Sequence, residues 1–395
     1  MSDLILKINL ISDCTILYSI ISLNPDIKPG PDREITPERD PCDLLKEYSE
    51  KMLFLRTSGD QHKFYDTALE IRGLIMPEVL SDQLKSMVGS FRESGKRYLV
   101  FDIDPRLGFF PWEYLPIDRH YLDESHKHYL QDRFHCGRHL RGEGGFSFRL
   151  ERGVRKFLIV ANPDGTLPDS KTEANDIVET VKKYKTVLSS GQGGIRVSDA
   201  IDRIKEAEIF HFSGHSDFFS LELSDGELTS DSIRDIRPSP FLVMLNSCSS
   251  SSSKDYEKTG LARAFISNGS KIVIGTTVPV RSAEGTKFAK VFYDKLFSGY
   301  TVGKAMSMAN KTFKDTVSPY RLYGNPSLKV RRNLIDYIKQ GYSLVSDNSK
   351  RAIGIVLFLI LIWTIISFTQ AAGTLAGRML KYSAEVSYSE IFGED

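Results

Sequence analysis

The sequence predicts an α/β fold with a parallel sheet flanked by helices on both faces. Two short apolar runs, 207–216 and 241–248, are rich in β-branched and aromatic residues and are bounded by Gly, Ser and Asp. Runs of this length and composition are typical of buried parallel strands. Beyond Val154, strand-like and helix-like segments alternate regularly, which is the pattern of a parallel sheet covered on both sides.

The composition is that of a globular chain without a strong charge bias. Its 395 residues are 41% hydrophobic, which is enough for a substantial core in two or three domains. Lys and Arg number 52 against 51 Asp and Glu, so no positive field favours a nucleic-acid partner. The four cysteines, at positions 14, 42, 136 and 248, lack disulfide or zinc-ribbon spacing, which indicates a reducing compartment such as the cytosol.

The first part of the chain predicts strands followed by helices. Residues 4–10 and 15–20 are typical of two strands, and the Pro- and Asp-rich stretch 25–41 interrupts the pattern. A further strand is expected within 96–104, whereas the polar, His-rich segment 123–141 follows no clear pattern. Apolar residues at helical spacing predict buried helix stripes. These residues are Leu44, Leu45, Tyr48, Met52, Leu55, Ala68, Ile71, Leu74 and Ile75.

A histidine and a cysteine stand at the carboxyl ends of the two apolar runs. His215 closes the first run and Cys248 closes the second. Open α/β sheets place their chemistry where parallel strands end, so we expect the two side chains to lie side by side. A thiol beside an imidazole is the minimum apparatus for attack on a peptide carbonyl. The pattern therefore predicts a cysteine peptidase.

His211 is an alternative base for the thiol. It lies four residues before His215, and on a strand the two side chains point to the same face. His215 is followed by polar residues at the exit of the strand, whereas His211 lies within the apolar run. We therefore assign the base to His215 and interpret His211 as an interior residue that packs behind the site.

An ordered series of motifs accompanies this pair. Within the second half they are His211–His215, Leu245–Cys248, Gly260–Gly269, Lys271–Thr277, Phe292–Leu296 and Leu322–Pro326. From 210 to 325 the sequence resembles the CHAT family of caspase-like proteins, grouped with caspases, separases and gingipains among the clan CD cysteine peptidases. Upstream, 110–115 resembles the family's Pro-Trp-Glu segment and 157–163 its first core strand. The resemblance covers roughly 66–329, with 116–151 unmatched.

The resemblance implies a mechanism in which Cys248 forms the acyl-enzyme and His215 transfers protons. The backbone amides of Ser216 and Cys248 would form the oxyanion hole. Caspases have glycine directly after the histidine, and Ser216 restricts the backbone there without removing the amide donor. The alternative function is a caspase-like interaction scaffold at the membrane without turnover, because a buried Cys or His is also an ordinary structural residue.

The residues that would receive the substrate side chain are less clearly marked. Relatives with a basic P1 preference carry an Asp that falls here at about Ser282. Glu284, two residues further on, and Asp217, beside the pair, are the candidate substitutes. Each has a simpler interpretation, since Glu284 suits a helix N-terminus and Asp217 suits the cap of a turn. Arg or Lys at P1 is the resulting prediction.

No metal or other cofactor is expected. His135 and His139 would share one face if they lay on a helix, which is a possible metal-ligand spacing. Arg133, Arg138 and Arg141 lie among these histidines and repel a cation, and no carboxylate completes a recognisable metal motif.

One apolar segment predicts a membrane anchor. No charged residue occurs from Ala352 to Gly377, and about 20 apolar residues span a bilayer as a helix. We expect a single transmembrane helix over 352–374. Basic residues cluster before it and an acidic end follows it, so the N-terminal body is expected in the cytoplasm. The amino terminus shows no signal-peptide pattern.

Together these features predict a membrane-anchored, caspase-like cysteine endopeptidase that cleaves a protein partner. A role in defence or cell death is what the resemblance to CHAT proteins implies. The chain divides into an N-terminal region of no assigned family (1–65), an N-terminal part of the CHAT-like region (66–150), a caspase-like catalytic domain (151–335), a juxtamembrane linker (336–351), the transmembrane helix (352–374) and a short tail (375–395).

Overall fold

The computed structural model describes residues 4–12, 14–88, 96–117, 129–142, 151–154, 156–182, 186–189, 194–247, 260–313 and 317–331. The strands of this part are β1 (Leu4–Ser12), β2 (Thr15–Ser22), β3 (Arg33–Ile35), β4 (Arg97–Ile103), β5 (Phe134–Leu140), β6 (Glu151–Gly153), β7 (Lys156–Ala161), β8 (Thr186–Ser189), β9 (Ile209–Ser213), β10 (Ser220–Leu223), β11 (Gly226–Thr229), β12 (Leu242–Asn246), β13 (Ile272–Thr276), β14 (Tyr320–Gly324) and β15 (Lys329–Arg331). The helices are α1 (Pro41–Ser58), α2 (Gln61–Ile75), α3 (Glu78–Met87), α4 (Leu130–Arg133), α5 (Pro168–Val181), α6 (Val197–Glu206), α7 (Ser230–Arg234), α8 (Leu261–Ser267), α9 (Ser282–Phe297) and α10 (Val302–Asn310).

Eleven of these strands form one sheet, in the order β3-β2-β1-β4-β5-β14-β13-β12-β9-β7-β8. Strands β13, β12, β9, β7 and β8 run parallel to one another, which confirms the predicted parallel arrangement for this half. Strand β14 runs antiparallel to β13 and parallel to β5, β4 and β1, so these four strands run in the opposite direction, and β2 reverses the direction once more. The sheet as a whole is therefore mixed.

The predicted N-terminal strands are confirmed, and they belong to this same sheet. Strand β1 pairs antiparallel with β2 and parallel with β4, where Leu4 lies opposite Leu99. Along β1 buried and half-buried residues alternate, because one face of a strand meets the core while the other does not. Region 1–65 thus extends the sheet of the following region.

The predicted helix stripes are confirmed with one correction. Asp40 accepts hydrogen bonds from the first amides of α1, and Gly59 ends the helix at φ +79°. The stripe residues on α1 are all buried, as are Ala68, Ile71 and Ile75 on α2. Leu74, predicted to belong to the stripe, is 43% exposed. At 100° per residue it lies about 90° from the centre of the buried face.

The His-rich segment contains a central strand that the pattern did not predict. Strand β5 carries Arg138, which is only 1% exposed and pairs with Glu113 of the Pro-Trp-Glu segment. Its guanidinium also donates to the carbonyls of Gly108 (2.6 Å) and Phe110 (2.7 Å). These partners make the burial of a charged residue tolerable, and for that reason the strand lacks the usual apolar pattern.

The histidines of β5 do not share a helix face. His135 and His139 lie four residues apart on a strand, which separates them by about 13 Å. His135 is buried beside the ring of Tyr98, and His139 bonds to Asp102. The helical spacing considered above therefore does not occur.

Helices cover both faces of the parallel half, as predicted. Leu242 and Met244 of β12 pack in a core that includes residues of α5, α9 and α10. The alternating residues Val243 and Leu245 pack in a second core with residues of α6, α7 and α8. This division places the carboxyl ends of β9 and β12 between two helical layers.

Within the described residues, every helix is too short or too polar to cross a bilayer. The predicted span 352–374 lies outside that part of the chain.

Acid sensitivity is expected at Asp102, at the end of β4. Burial acts to raise the pKa of this carboxyl, but hydrogen bonds from His139 and Arg141 outweigh it and lower the pKa from 3.8 to about 2. Because the folded-state pKa lies below the unfolded one, Asp102 stabilises the fold above pH 4, and this contribution is lost as the pH falls towards 2. Urea unfolding of Asp102→Asn should show a smaller loss of stability between pH 4 and pH 2 than the parent protein shows.

The exposed carboxylate Asp231 provides the control, because its side chain is 87% exposed and its ion pair with Arg234 lies within one helix turn. Asp231→Asn should keep the acid profile of the parent protein. Parallel profiles for the parent and Asp102→Asn would contradict the role of Asp102.

Candidate active site

The two strands that lead to the predicted pair are neighbours and end together. Ser213, the last residue of β9, lies opposite Asn246, the last residue of β12. In sequence, His215 follows Ser213 by two residues and Cys248 follows Asn246 by two. The two segments therefore leave the same edge of the sheet from matched positions. Cys248 itself lies outside the described residues, which end here at Ser247.

The backbone before His215 is closely packed. A β-carbon on Gly214 would lie 2.8 Å from the Phe212 ring and 3.0 Å from Pro163, so a side chain does not fit there. Beyond it, the His215 carbonyl accepts from the amide of Glu222 at 3.0 Å, and Ser216 forms an antiparallel bridge with Leu221. The half-buried His215 thus sits on a segment held from both sides.

Asp164, which the sequence patterns did not single out, is an electrostatic neighbour of His215. It lies in the loop after β7, and that loop is tied to β9 because the Asn162 amide donates to the Ser213 carbonyl at 2.8 Å. Burial acts to raise the pKa of Asp164, but hydrogen bonds from Thr166 and the charge of His215 lower it below its usual range.

Asp217 is exposed and caps the turn before β10. Its carboxylate accepts from the amides of Phe219 and Ser220, each at 2.6 Å, and from the Ser220 hydroxyl at 3.1 Å. These bonds agree with the interpretation that Asp217 caps a turn. They occupy one of its two carboxylate oxygens.

Glu284 lies in the first turn of α9 and is half-buried. Its charge interacts with Arg56 of α1, whose side chain donates to the Val317 carbonyl at 2.8 Å. Burial lowers the pKa of Arg56, and the Glu284 carboxylate is among the groups that oppose this shift. The candidate P1 carboxylate therefore interacts electrostatically with a cation of the same chain.

A buried carboxylate connects the two strand ends. Glu173 of α5 is 3% exposed and accepts from three side chains. The Nε2 of His211 donates at 2.9 Å, the hydroxyl of Ser213 at 2.9 Å, and the amide nitrogen of Asn246 at 2.6 Å. His211 is fully buried, in agreement with its assignment as an interior residue.

The contacts extend from this carboxylate to α9 and β14. The other ring nitrogen of His211 bonds to the Tyr293 hydroxyl at 3.1 Å, and the Tyr320 hydroxyl donates to the Asn246 side-chain oxygen. We call the six side chains Glu173, His211, Ser213, Asn246, Tyr293 and Tyr320 the strand-end network. All of them lie on the α5 and α9 face of the sheet, where the strands end.

Sequence reasoning missed Glu173, although one signal was present. The buried residues of α5 include Ser170, Ala174, Ile177 and Val181, which recur at helical spacing. Glu173 falls on this same face. A carboxylate on the buried face of a helix requires polar partners in the layer below, and the polar residues of β9 and β12 are those partners.

Residues 67–324 match the family model described as the CHAT domain. No curated protein matches the chain in sequence.

Several solved structures resemble the fold at low sequence identity. The separase–securin complex of Saccharomyces cerevisiae is 16% identical, with 63% of this chain and 16% of that chain covered and a TM-score of 0.47. The Arg-specific cysteine proteinase gingipain R is 14% identical, with 60% and 64% covered and a TM-score of 0.44. The pro- and mature domains of RgpB from Porphyromonas gingivalis are 13% identical, with 67% and 72% covered and a TM-score of 0.48. The chain thus spans about a sixth of the separase chain, and similarities this distant carry no argument about activity.

Proposed function

Because the chain belongs to the CHAT domain family, we propose that it is a cysteine peptidase that cleaves a protein substrate through Cys248 and His215. The observation that supports this most is the pairing of Ser213 with Asn246 at the ends of adjacent strands. Since His215 and Cys248 each follow these residues by two positions, we expect the imidazole and the thiol at the same edge of the sheet.

In the proposed mechanism the imidazole of His215 accepts the proton of the Cys248 thiol. The thiolate attacks the carbonyl carbon of the scissile peptide, and backbone amides of Ser216 and Cys248 donate to the resulting oxyanion. When the intermediate collapses, His215 returns the proton to the departing amine and an acyl-enzyme remains. A water molecule, deprotonated by His215, then hydrolyses the thioester and restores the thiol.

Glu284 is the preferred carboxylate for a basic P1 side chain. Asp217 already accepts three hydrogen bonds within its own turn, whereas the side chain of Glu284 accepts none from the described residues. The neighbouring Arg56 shows that a guanidinium is compatible with the surroundings of Glu284. A substrate Arg or Lys would compete with Arg56 for this charge.

We further propose that residues 352–374 anchor the protein in a membrane with the catalytic part on the cytoplasmic side. The support is the absence of charge in this segment and the excess of Lys and Arg before it. The substrate would be a protein close to the membrane, in a defence or cell-death response.

The proposed catalytic dyad of Cys248 and His215 is tested by two substitutions. Cys248→Ala and His215→Ala should each lower the cleavage rate about a thousandfold or more, because the nucleophile or its base is lost. Cleavage of a peptide library gives the rate, and circular dichroism should show an unchanged fold. Cys14→Ala removes an exposed cysteine and serves as the matched control. Undiminished cleavage by Cys248→Ala would exclude the proposed mechanism, and a parent protein without cleavage would favour the scaffold alternative.

P1 specificity is tested with the same library. Glu284→Ala should lower kcat/KM after Arg or Lys by about 30-fold, equivalent to about 2 kcal/mol, because a charge-assisted hydrogen bond is lost. Cleavage after neutral residues should change little, and Asp217→Ala should keep the basic preference. The assignment fails if the parent protein shows no preference for basic P1 residues, or if Asp217→Ala rather than Glu284→Ala removes it.

The anchor is tested by truncation. A chain ending before Lys350 should remain in the supernatant after a carbonate wash, whereas the full chain should sediment with membranes. Peptide hydrolysis should be retained, because β15, the last described strand, precedes the truncation point. Sedimentation of the truncated chain with membranes would show that another segment binds the protein to the membrane.

A further inference from the structure

Within the strand-end network, the two hydrogen bonds of the Asn246 side chain have determined directions. A carboxylate without a proton only accepts, so the Asn246 amide nitrogen must face Glu173 and its oxygen must face Tyr320. Burial, followed by the charge of Glu173, raises the pKa of Tyr320 well above its usual value, so the hydroxyl keeps its proton and donates. The Asn246 side chain therefore has one orientation that satisfies both of its ends.

The space around the Asn246 side chain is narrow and holds its amide in place. A β-carbon on Gly285 of α9 would lie 2.9 Å from the Asn246 amide nitrogen and 3.0 Å from its oxygen. Helix α9 thus approaches so closely that a larger residue at this position would displace the amide. The carbonyl of Ser247, the residue that follows β12, accepts from the Thr276 hydroxyl of β13. Two successive residues at the strand end are held by neighbouring elements.

From these contacts we infer that Glu173, acting through Asn246 and Ser213, is the positioning residue that holds together the carboxyl ends of β9 and β12, from which the chain continues to His215 and Cys248. One carboxylate binds the last residue of both strands, two positions before each member of the pair. Tyr320 contributes by donating a hydrogen bond to the side-chain oxygen of Asn246, which fixes the orientation of the amide. This inference rests on the proposed function and deepens it.

Tyr320→Phe tests the inference with little change in packing. It removes the hydroxyl that orients Asn246 and keeps the ring, which stacks on Phe288 with centroids 3.6 Å apart. Tyr293→Phe is the matched control, since it removes a second buried hydroxyl from the same network. That hydroxyl contacts His211, which lies within β9, whereas the Tyr320 hydroxyl contacts Asn246, the last residue of β12.

The readout is the pH dependence of Cys248 alkylation by iodoacetamide, measured on the full chain by mass spectrometry of the Cys248 peptide. The exposed Cys14 is an internal reference in each sample. A thiol paired with an imidazole titrates below the value of about 8.5 for a free cysteine. A purely structural role of the network would alter the melting temperature without moving this midpoint.

We expect Tyr320→Phe to raise the alkylation midpoint by about one pH unit and to lower kcat about tenfold at nearly constant KM, because the thiol loses its position beside the imidazole. Tyr293→Phe should lower the melting temperature by a similar amount and leave the midpoint unchanged. Glu173→Leu should act like Tyr320→Phe or more strongly. Glu173→Gln should restore the midpoint, since its amide oxygen still accepts from Asn246 and Ser213 can rotate to accept from its nitrogen.

The inference is overturned if Tyr320→Phe and Tyr293→Phe have the same midpoint, or if Glu173→Gln fails to restore it while remaining folded. Should Glu173→Leu not fold, the comparison of the two tyrosine variants decides. A failure of the proposed function looks different. In that case Cys248 of the parent protein reacts as an ordinary thiol and His215→Ala leaves its profile unchanged, a result that removes the dyad and this inference together.

Discussion

The buried carboxylate of Glu173 is the constraint on which the geometry of the candidate site depends. A charge taken out of water is tolerated only where hydrogen-bond donors replace the solvent, and an unpaired one is strongly destabilising. Here the donors come from His211 and Ser213 of β9 and from Asn246 of β12. A slip of either strand by one residue would turn these donors to the opposite face of the sheet. Stability and strand register therefore reinforce each other at the edge where the two candidate catalytic segments leave the sheet.

Elements near the amino terminus hold the segment that leads to Tyr320. The Tyr114 hydroxyl donates to the Ser318 carbonyl at 2.6 Å, and Arg56 donates to the neighbouring carbonyl of Val317. Both contacts hold the segment that enters β14, and β14 begins with Tyr320. Because Tyr320 orients Asn246, helix α1 and the Pro-Trp-Glu segment support the candidate site through two steps of contact.

The candidate site was only partly accessible from the sequence. The position of His215 at a strand exit followed from the change from apolar to polar residues, and the buried location of His211 followed from its place within the run. Glu173 and Asp164 were missed because their roles depend on which strand lies beneath a helix and which loop approaches a histidine. The strand β5 was missed because Arg138 and its histidines break the apolar pattern, and their burial is possible only through Glu113 and backbone carbonyls.

By itself the sequence determined most of the local elements, though not β5, together with the parallel half of the sheet with helices on both faces and the two strand exits that precede His215 and Cys248. These features follow from periodicity and composition, which act over a few residues of one segment. Only the tertiary structure decided the reversal of strand direction between β13 and β14, the membership of β1 and β2 in the same sheet, and the joining of both strand exits by Glu173. The physical reason is that strand order and the pairing of buried polar groups depend on residues far apart in the chain, whose contacts no local pattern records.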